Sequence, residues 1–154
     1  MPDPFQSYLA RVQAIIDESG FAVINIFPDP DKGVPGFAYT VGLSKELGIE
    51  LMVIGLPHTT AHHAMNEFAK RARKEPLQIG QLHEQVMNLP VRIDELDAEE
   101  ALANMPAHGA LHLPRPKQVL RVTWPDPEGR FPGDPEYRYA VTQHLDELKG
   151  SRPH

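Results

Sequence analysis

A single α+β domain, with an antiparallel or mixed sheet of about five strands and two main helices packed on it, is the fold class the chain predicts. Three features carry that reading. Residues 4–19 and 57–74 bear apolar side chains at spacings of three and four, the period of a helix with one buried stripe. Runs rich in β-branched and aromatic residues recur at 21–27, 36–43, 50–56 and 117–124. Proline- and glycine-dense stretches punctuate them, and no repeat, low-complexity tract or composition break marks a second domain. Residues 1–154 are therefore read as one domain, with 1–3 and 150–154 as mobile ends.

Asp3 caps the first helix, whose first turn begins at Pro4; Phe5, Leu9, Val12, Ile15 and Ile16 then form the stripe until Gly20 ends it. FAVINIF at 21–27 is a strand, and PDPDKGVPG forces a long turn after it. GFAYTVGL at 36–43 and ELMVIGL at 50–56 are two more strands joined by SKELGI, so a hairpin or meander is the simplest pairing. Pro57 opens a helix that groups Ala61, Ala64, Met65, Phe68, Ala69 and Ala72 on one face and keeps Glu67, Lys70, Arg71 and Arg73 mainly on the other. LQIGQLHEQVMN and LPVRIDEL both read as extended, the second with Leu89, Val91 and Ile93 alternating with polar neighbours. Asp97, with Glu100 three residues on, caps a short helix that ends before Pro106. KQVLRVTW at 117–124 is a strand buried on at least one face. The loop PDPEGRFPGDPEYR follows it, and YRYAVTQHLDEL is read as a last helix.

Composition narrows function mainly by exclusion. Hydrophobic residues at 41% and charged residues at 23% are those of a globular chain. A net charge of −6 opposes binding to nucleic acid or anionic lipid. No cysteine is present, which removes disulfides, thiol catalysis and thiolate metal sites. The N-terminal MPDPFQSYLARVQ lacks a basic region followed by an apolar run, and no segment approaches the roughly 20 apolar residues that span a bilayer. The expected location is the cytoplasm. The serines lie in no G-x-S-x-G elbow, and neither G-x-G-x-x-G nor a P-loop motif occurs.

Four segments, FAYTVGL, ELMVIGLP, TAHHAMN and WPDPEGRFPGDP, together resemble the family called domain of unknown function 4262 (DUF4262). That family's pattern has a strand ending in YTVGL, a second strand of the type PELVVFGLP, a helix opening TAH with Asn four positions after the His, and a late W-P-D-x-x-G-x-F-P-x-D-P loop. Here these fall at Tyr39 to Leu43, Glu50 to Pro57, Thr60 to Asn66 and Trp124 to Pro135. Ile49 stands where the pattern has proline, and the doubled His62 and His63 are a second departure. The resemblance covers most of the chain and implies a bacterial cytoplasmic α+β protein. It transfers no catalytic residue.

Candidate site residues cluster in three places. His62 and Asn66 stand one helical turn apart and can orient a polar ligand or water, or else satisfy carbonyls at the end of the YTVGL strand. His58 and His62, at i and i+4, have the spacing of a metal pair, but the glutamate of H-E-x-x-H is missing and a third ligand such as His83, His108 or His112 must come from elsewhere; no metal is favoured. In the strand, Tyr39 and Thr40 point to opposite faces, and Gly42 lets a ligand or a crossing side chain approach. The late loop gathers Trp124, Asp126, Arg130, Phe131 and Asp134 among prolines that stiffen it, suiting it to contact a partner or cover a pocket.

The function expected is a module binding a small molecule or a protein through Tyr39, Thr40, Gly42, His62, Asn66 and the late loop. One alternative is an enzyme that holds a flavin, nucleotide or metal in the His62/Asn66 cleft; another is a protein-interaction or immunity-type module. The residues specify no cofactor, and they are compatible with a monomer or with a homodimer paired through a strand edge.

Overall fold

The computed structural model describes residues 3–151; of the ends expected to be mobile, residues 1, 2 and 152–154 lie outside that range. The first helix, α1 (Pro4–Ser19), starts as its sequence dictates. The Asp3 carboxylate accepts from the Phe5 N–H at 3.1 Å, and Gly20 closes the helix at φ 92°. Strands β1 (Ala22–Ile26) and β2 (Phe37–Val41) follow. The helix α2 (Leu43–Leu47) then leads into β3 (Ile49–Ile54) and α3 (His58–Lys74). The second half adds β4 (Leu82–His83), β5 (Val91–Leu96), α4 (Ala98–Ala103), α5 (Pro106–Ala110) and β6 (Gln118–Thr123).

The sheet has six strands in the order β1-β2-β3-β6-β5-β4, one more than expected. It is mixed: β3 and β6 run parallel, with Ile49 opposite Gln118 and Met52 opposite Arg121, while every other pair is antiparallel. Helices cover both faces. On one, Leu9, Val12 and Ile16 of α1 pack with Ile24, Tyr39, Met52 and Val119, joined by Ala101 of α4, Ala107 of α5 and Met105 between them. On the other, Ala61, Ala64, Met65, Phe68 and Ala69 of α3 pack with Ala38, Leu51, Val53, Leu120 and Val122. Alternation along β2 and β3 delivers one side chain to each core in turn. Each large side chain buried this way contributes about 1.5–3 kcal/mol.

Three expectations need correction. β2 and β3 pair antiparallel as expected, but the strand read to Leu43 ends at Val41, and the SKELGI link is the helical turn α2. Its N-terminal amides are held by a buried carboxylate, Glu50, which makes a helical turn the better solution. LQIGQLHEQVMN contributes two strand residues only, because Gly80 and the left-handed Gln85 (φ 67°) interrupt it. The last helix expected over 137–148 is irregular up to His144 and then a 3-10 segment, Leu145–Ser151. Its side chains are spent on tertiary hydrogen bonds rather than on a helical stripe. Among the described residues no helix is long and apolar enough to cross a membrane.

Candidate functional site

Parallel β3 and β6 end side by side, and in sheets of this kind ligands settle outside the carboxyl ends of parallel strands. Gly55, Leu56 and Pro57 lead from β3 into α3, and Trp124 to Pro127 leave β6. Between these two turns lies a groove of about 580 Å³, walled also by Thr60, Met87 and Tyr139. The first turn of α3 has no side-chain cap, so its amides remain available beside Thr60.

Trp124 is fixed from three directions. Its Nε1 donates to the Ile54 carbonyl at 2.7 Å, pinning the indole to the end of β3. Its backbone N–H donates to Gln143 Oε1 at 2.9 Å, and its carbonyl accepts from Gln143 Nε2 at 2.7 Å. A side-chain amide thus completes the end of β6 as a neighbouring strand would. Gln143 is fully buried and sits at φ 61°, a conformation its three buried hydrogen bonds offset. Tyr137 closes the knot, accepting from Gln143 Nε2 and donating to the Val141 carbonyl at 3.1 Å.

Residues 137–143 therefore form a strap across the end of β3, and Gly55 is the place where it crosses. At φ 91°, a Cβ on Gly55 would meet Val141 Cγ1 at 2.8 Å and Trp124 Cζ2 at 3.1 Å. Tyr139 leans over the groove with its ring 5.5 Å from that of Trp124 and 43% of its surface exposed.

Asp126 also lines the groove, but its carboxylate is fully engaged. It accepts from the N–H groups of Glu128, Arg130 and Arg138 and from the Arg130 guanidinium, all at 2.9–3.1 Å. Burial pushes its pKa upward, yet these four donors outweigh burial and hold it at about 2. Asp126 thus organises the loop and stays ionised near neutrality.

Of the residues the sequence singles out, Trp124 and Asp126 alone line this groove; the others lie elsewhere. Tyr39 is fully buried on the α1 side, where its hydroxyl accepts from the Ala107 N–H at 3.3 Å, and burial raises its pKa. Thr40 donates to Glu50 Oε1 and accepts from the Leu51 N–H, both at 2.8 Å. Gly42 makes room for the α1–β1 turn, since a Cβ there would stand 2.7 Å from the Gly20 carbonyl. Asn66 donates to the backbone carbonyl of His62 at 3.2 Å, and the His62 ring meets Asn25 Nδ2 at 3.3 Å. The two share a different cleft, at the sheet edge. Arg130 bridges Asp126 and Glu136, Asp134 accepts from the Glu136 N–H, and Phe131 lies 4.7 Å beneath the Arg92 guanidinium.

The His58 and His62 rings are 6.3 Å apart and tilted by 47°. Among the described residues no group of three or more His, Asp or Glu side chains gathers to hold a metal. His108 is buried against Glu50 and Ser44, and the half-buried His83 lies against Arg71 and Phe68; desolvation and Arg71 lower the pKa of His83.

Sequence reasoning missed Tyr139, Gln143, Met87 and Thr60. A partial signal existed: both GLP at 55–57 and WPDP at 124–127 place a proline directly after a strand, marking two abrupt exits. Nothing local says that these exits are adjacent.

No curated protein and no solved structure matches the chain. The family model described as domain of unknown function (DUF4262) matches residues 15–138. That span includes α3, the parallel pair and all of the groove wall except Tyr139, and the protein belongs to the DUF4262 family.

Proposed function

We propose that the protein is a small-ligand-binding module whose site is the groove at the carboxyl ends of β3 and β6. A single observation carries this reading. The chain's only tryptophan is pinned in the wall of an open, mostly apolar groove of about 580 Å³, within the size range of small-molecule sites. The fitting occupant is a flat apolar molecule, lying against Trp124 and Tyr139, with one accepting or anionic group toward Thr60 and the uncapped first turn of α3. Asp126 repels a second negative charge at the other end. Its four donors occupy the one carboxylate in the groove wall, which favours binding over proton transfer by that group.

The position of Trp124 supplies the test. A panel of planar aromatic carboxylates and their uncharged amides is titrated while Trp124 emission and the melting temperature are followed. At least one carboxylate gives a saturable emission change, binds more tightly than its amide, and loses affinity at least tenfold in Tyr139→Ala. If no member at millimolar concentration moves either signal, the reading fails.

A further inference from the structure

A second surface, at the other side of the sheet, has the form of a docking site for an extended chain. β1 is the outermost strand, and its backbone bonds only β2 among the described residues. The AVINI segment holds no proline and no charged residue, and its register with β2 runs unbroken from Ala22 to Ile26. Proline, charge and a bulge each blunt an edge, and β1 has none of the three. The opposite edge, β4, is protected by being two residues long.

The β1 edge is also recessed. A cleft of about 500 Å³ is lined by Ile15 and Ser19 of α1, by Phe21 to Val23, and by His62, Asn66 and Lys70 of α3. Because α1 and α3 pack on opposite faces of the sheet, a cleft that touches both lies over the edge itself. A second cleft, of about 400 Å³, takes over at Asn25 and passes Phe27 and His58, then turns across the sheet end at Phe37 toward Gly55 and Pro57; its Phe27 and His58 end is the part in line with β1. Phe27 is 70% exposed, with its ring 5.3 Å from that of His58.

This recess selects among occupants. In a second copy the same cleft presents the same lysine and no carboxylate, so two copies paired edge to edge supply no acidic partner to either Lys70. A lone extended segment has no such constraint. Charge narrows the segment further: the chain carries −6 overall, yet the first cleft presents Lys70 and no carboxylate. Lys70 is 72% exposed on its side chain and only 4.0 Å from Glu67, leaving it open to a stronger partner. We propose that the β1 edge takes an extended peptide segment as a seventh strand, with an acidic residue against Lys70 and an apolar side chain against Phe27 and His58. Phe21 to Phe27 covers about 20 Å of extended chain, so a segment of roughly seven residues spans the first cleft and the Phe27 and His58 end of the second.

The probes are decapeptides selected from a displayed random library against the full chain and then synthesised. Selected peptides carry an acidic residue, and N-methylation of each amide in turn weakens binding by about tenfold at alternate positions, the signature of a strand ladder. Lys70→Glu weakens them by about fivefold with the melting temperature unchanged. Trp124 emission stays constant, which separates this surface from the ligand groove. The proposal is overturned if no peptide is enriched, if methylation shows no alternation, or if Lys70→Glu has no effect. It also fails if binding moves Trp124, or if light scattering shows a dimer whose β1 amides are protected from exchange.

Discussion

Glu50 Oε2 lies 3.0 Å from His108 Nε2, with the His108 side chain 4% exposed and that of Glu50 0%. The carboxylate also accepts from the Thr40 hydroxyl and from the N–H groups of Gly42 and Ser44, so one side chain on β3 holds β2, the start of α2 and α5 together. Glu50→Ala leaves the Thr40 hydroxyl and the N–H groups of Gly42 and Ser44 without their acceptor in the core, while His108 keeps Ser44, and is expected to cost about 3–5 kcal/mol in urea unfolding. Glu50→Gln keeps the shape and most of the acceptor capacity, and costs about 1–3 kcal/mol. A cost below about 1 kcal/mol for the alanine variant would mean that the cluster contributes little to stability.

Gln143 should matter to the groove more than its distance in sequence from β6 suggests. Gln143→Ala removes both bonds to the Trp124 backbone and the bond to Tyr137, leaving a buried N–H and carbonyl unpaired, at a cost of about 2–4 kcal/mol. Trp124 emission should shift to longer wavelength as the strap loosens. Tyr137→Phe, which loses only hydroxyl bonds, should cost about 1 kcal/mol. Unchanged emission in Gln143→Ala would show that Ile54 alone holds the indole.

Acid should loosen the late loop. The folded-state pKa of Asp126, about 2, lies below its ordinary value of 3.8. The stability it contributes is therefore fully present above about pH 4 and is lost as pH falls through about 2. Asp126→Asn should melt lower than the wild type at pH 5, with the gap narrowing steadily toward pH 2. A gap independent of pH over that interval would rule out the carboxylate charge as its source.

Two glycines with positive φ should respond unequally to alanine. Gly42, at φ 109°, would place a Cβ 2.7 Å from the Gly20 carbonyl and 3.0 Å from Phe21 Cα, both backbone atoms that cannot swing aside. Gly129, at φ 83°, faces open space. Gly129→Ala should cost about 1–2 kcal/mol from backbone strain alone, and Gly42→Ala about 3 kcal/mol or more. Equal costs by chemical unfolding would show that the α1–β1 turn yields.

Legibility followed the range of the forces involved. The apolar stripes of α1 and α3 and the Asp3 cap of α1 depend on neighbours within one or two turns, and these helices stand where periodicity places them. Asp97 caps α4 through the Glu100 N–H for the same reason. α2 and α5 were not legible, since five residues each carry too little pattern to outweigh their surroundings. His62 and Asn66 do lie one turn apart, but that spacing gives no sign that Asn25 would face the imidazole or that Asn66 would bond the backbone.

Local chemistry was enough to establish the two long helices, the main strands and the family resemblance, because backbone preference and amphipathic period are written within a few residues. The parallel contact of β3 with β6 belongs to the tertiary structure alone. It depends on which buried faces fit once α1 and α3 cover the sheet, and no short window encodes that choice. The same contact decides that Gly55, Trp124 and Gln143 meet, and it moves the candidate site from the Tyr39 to Leu43 strand end to the opposite end of β3.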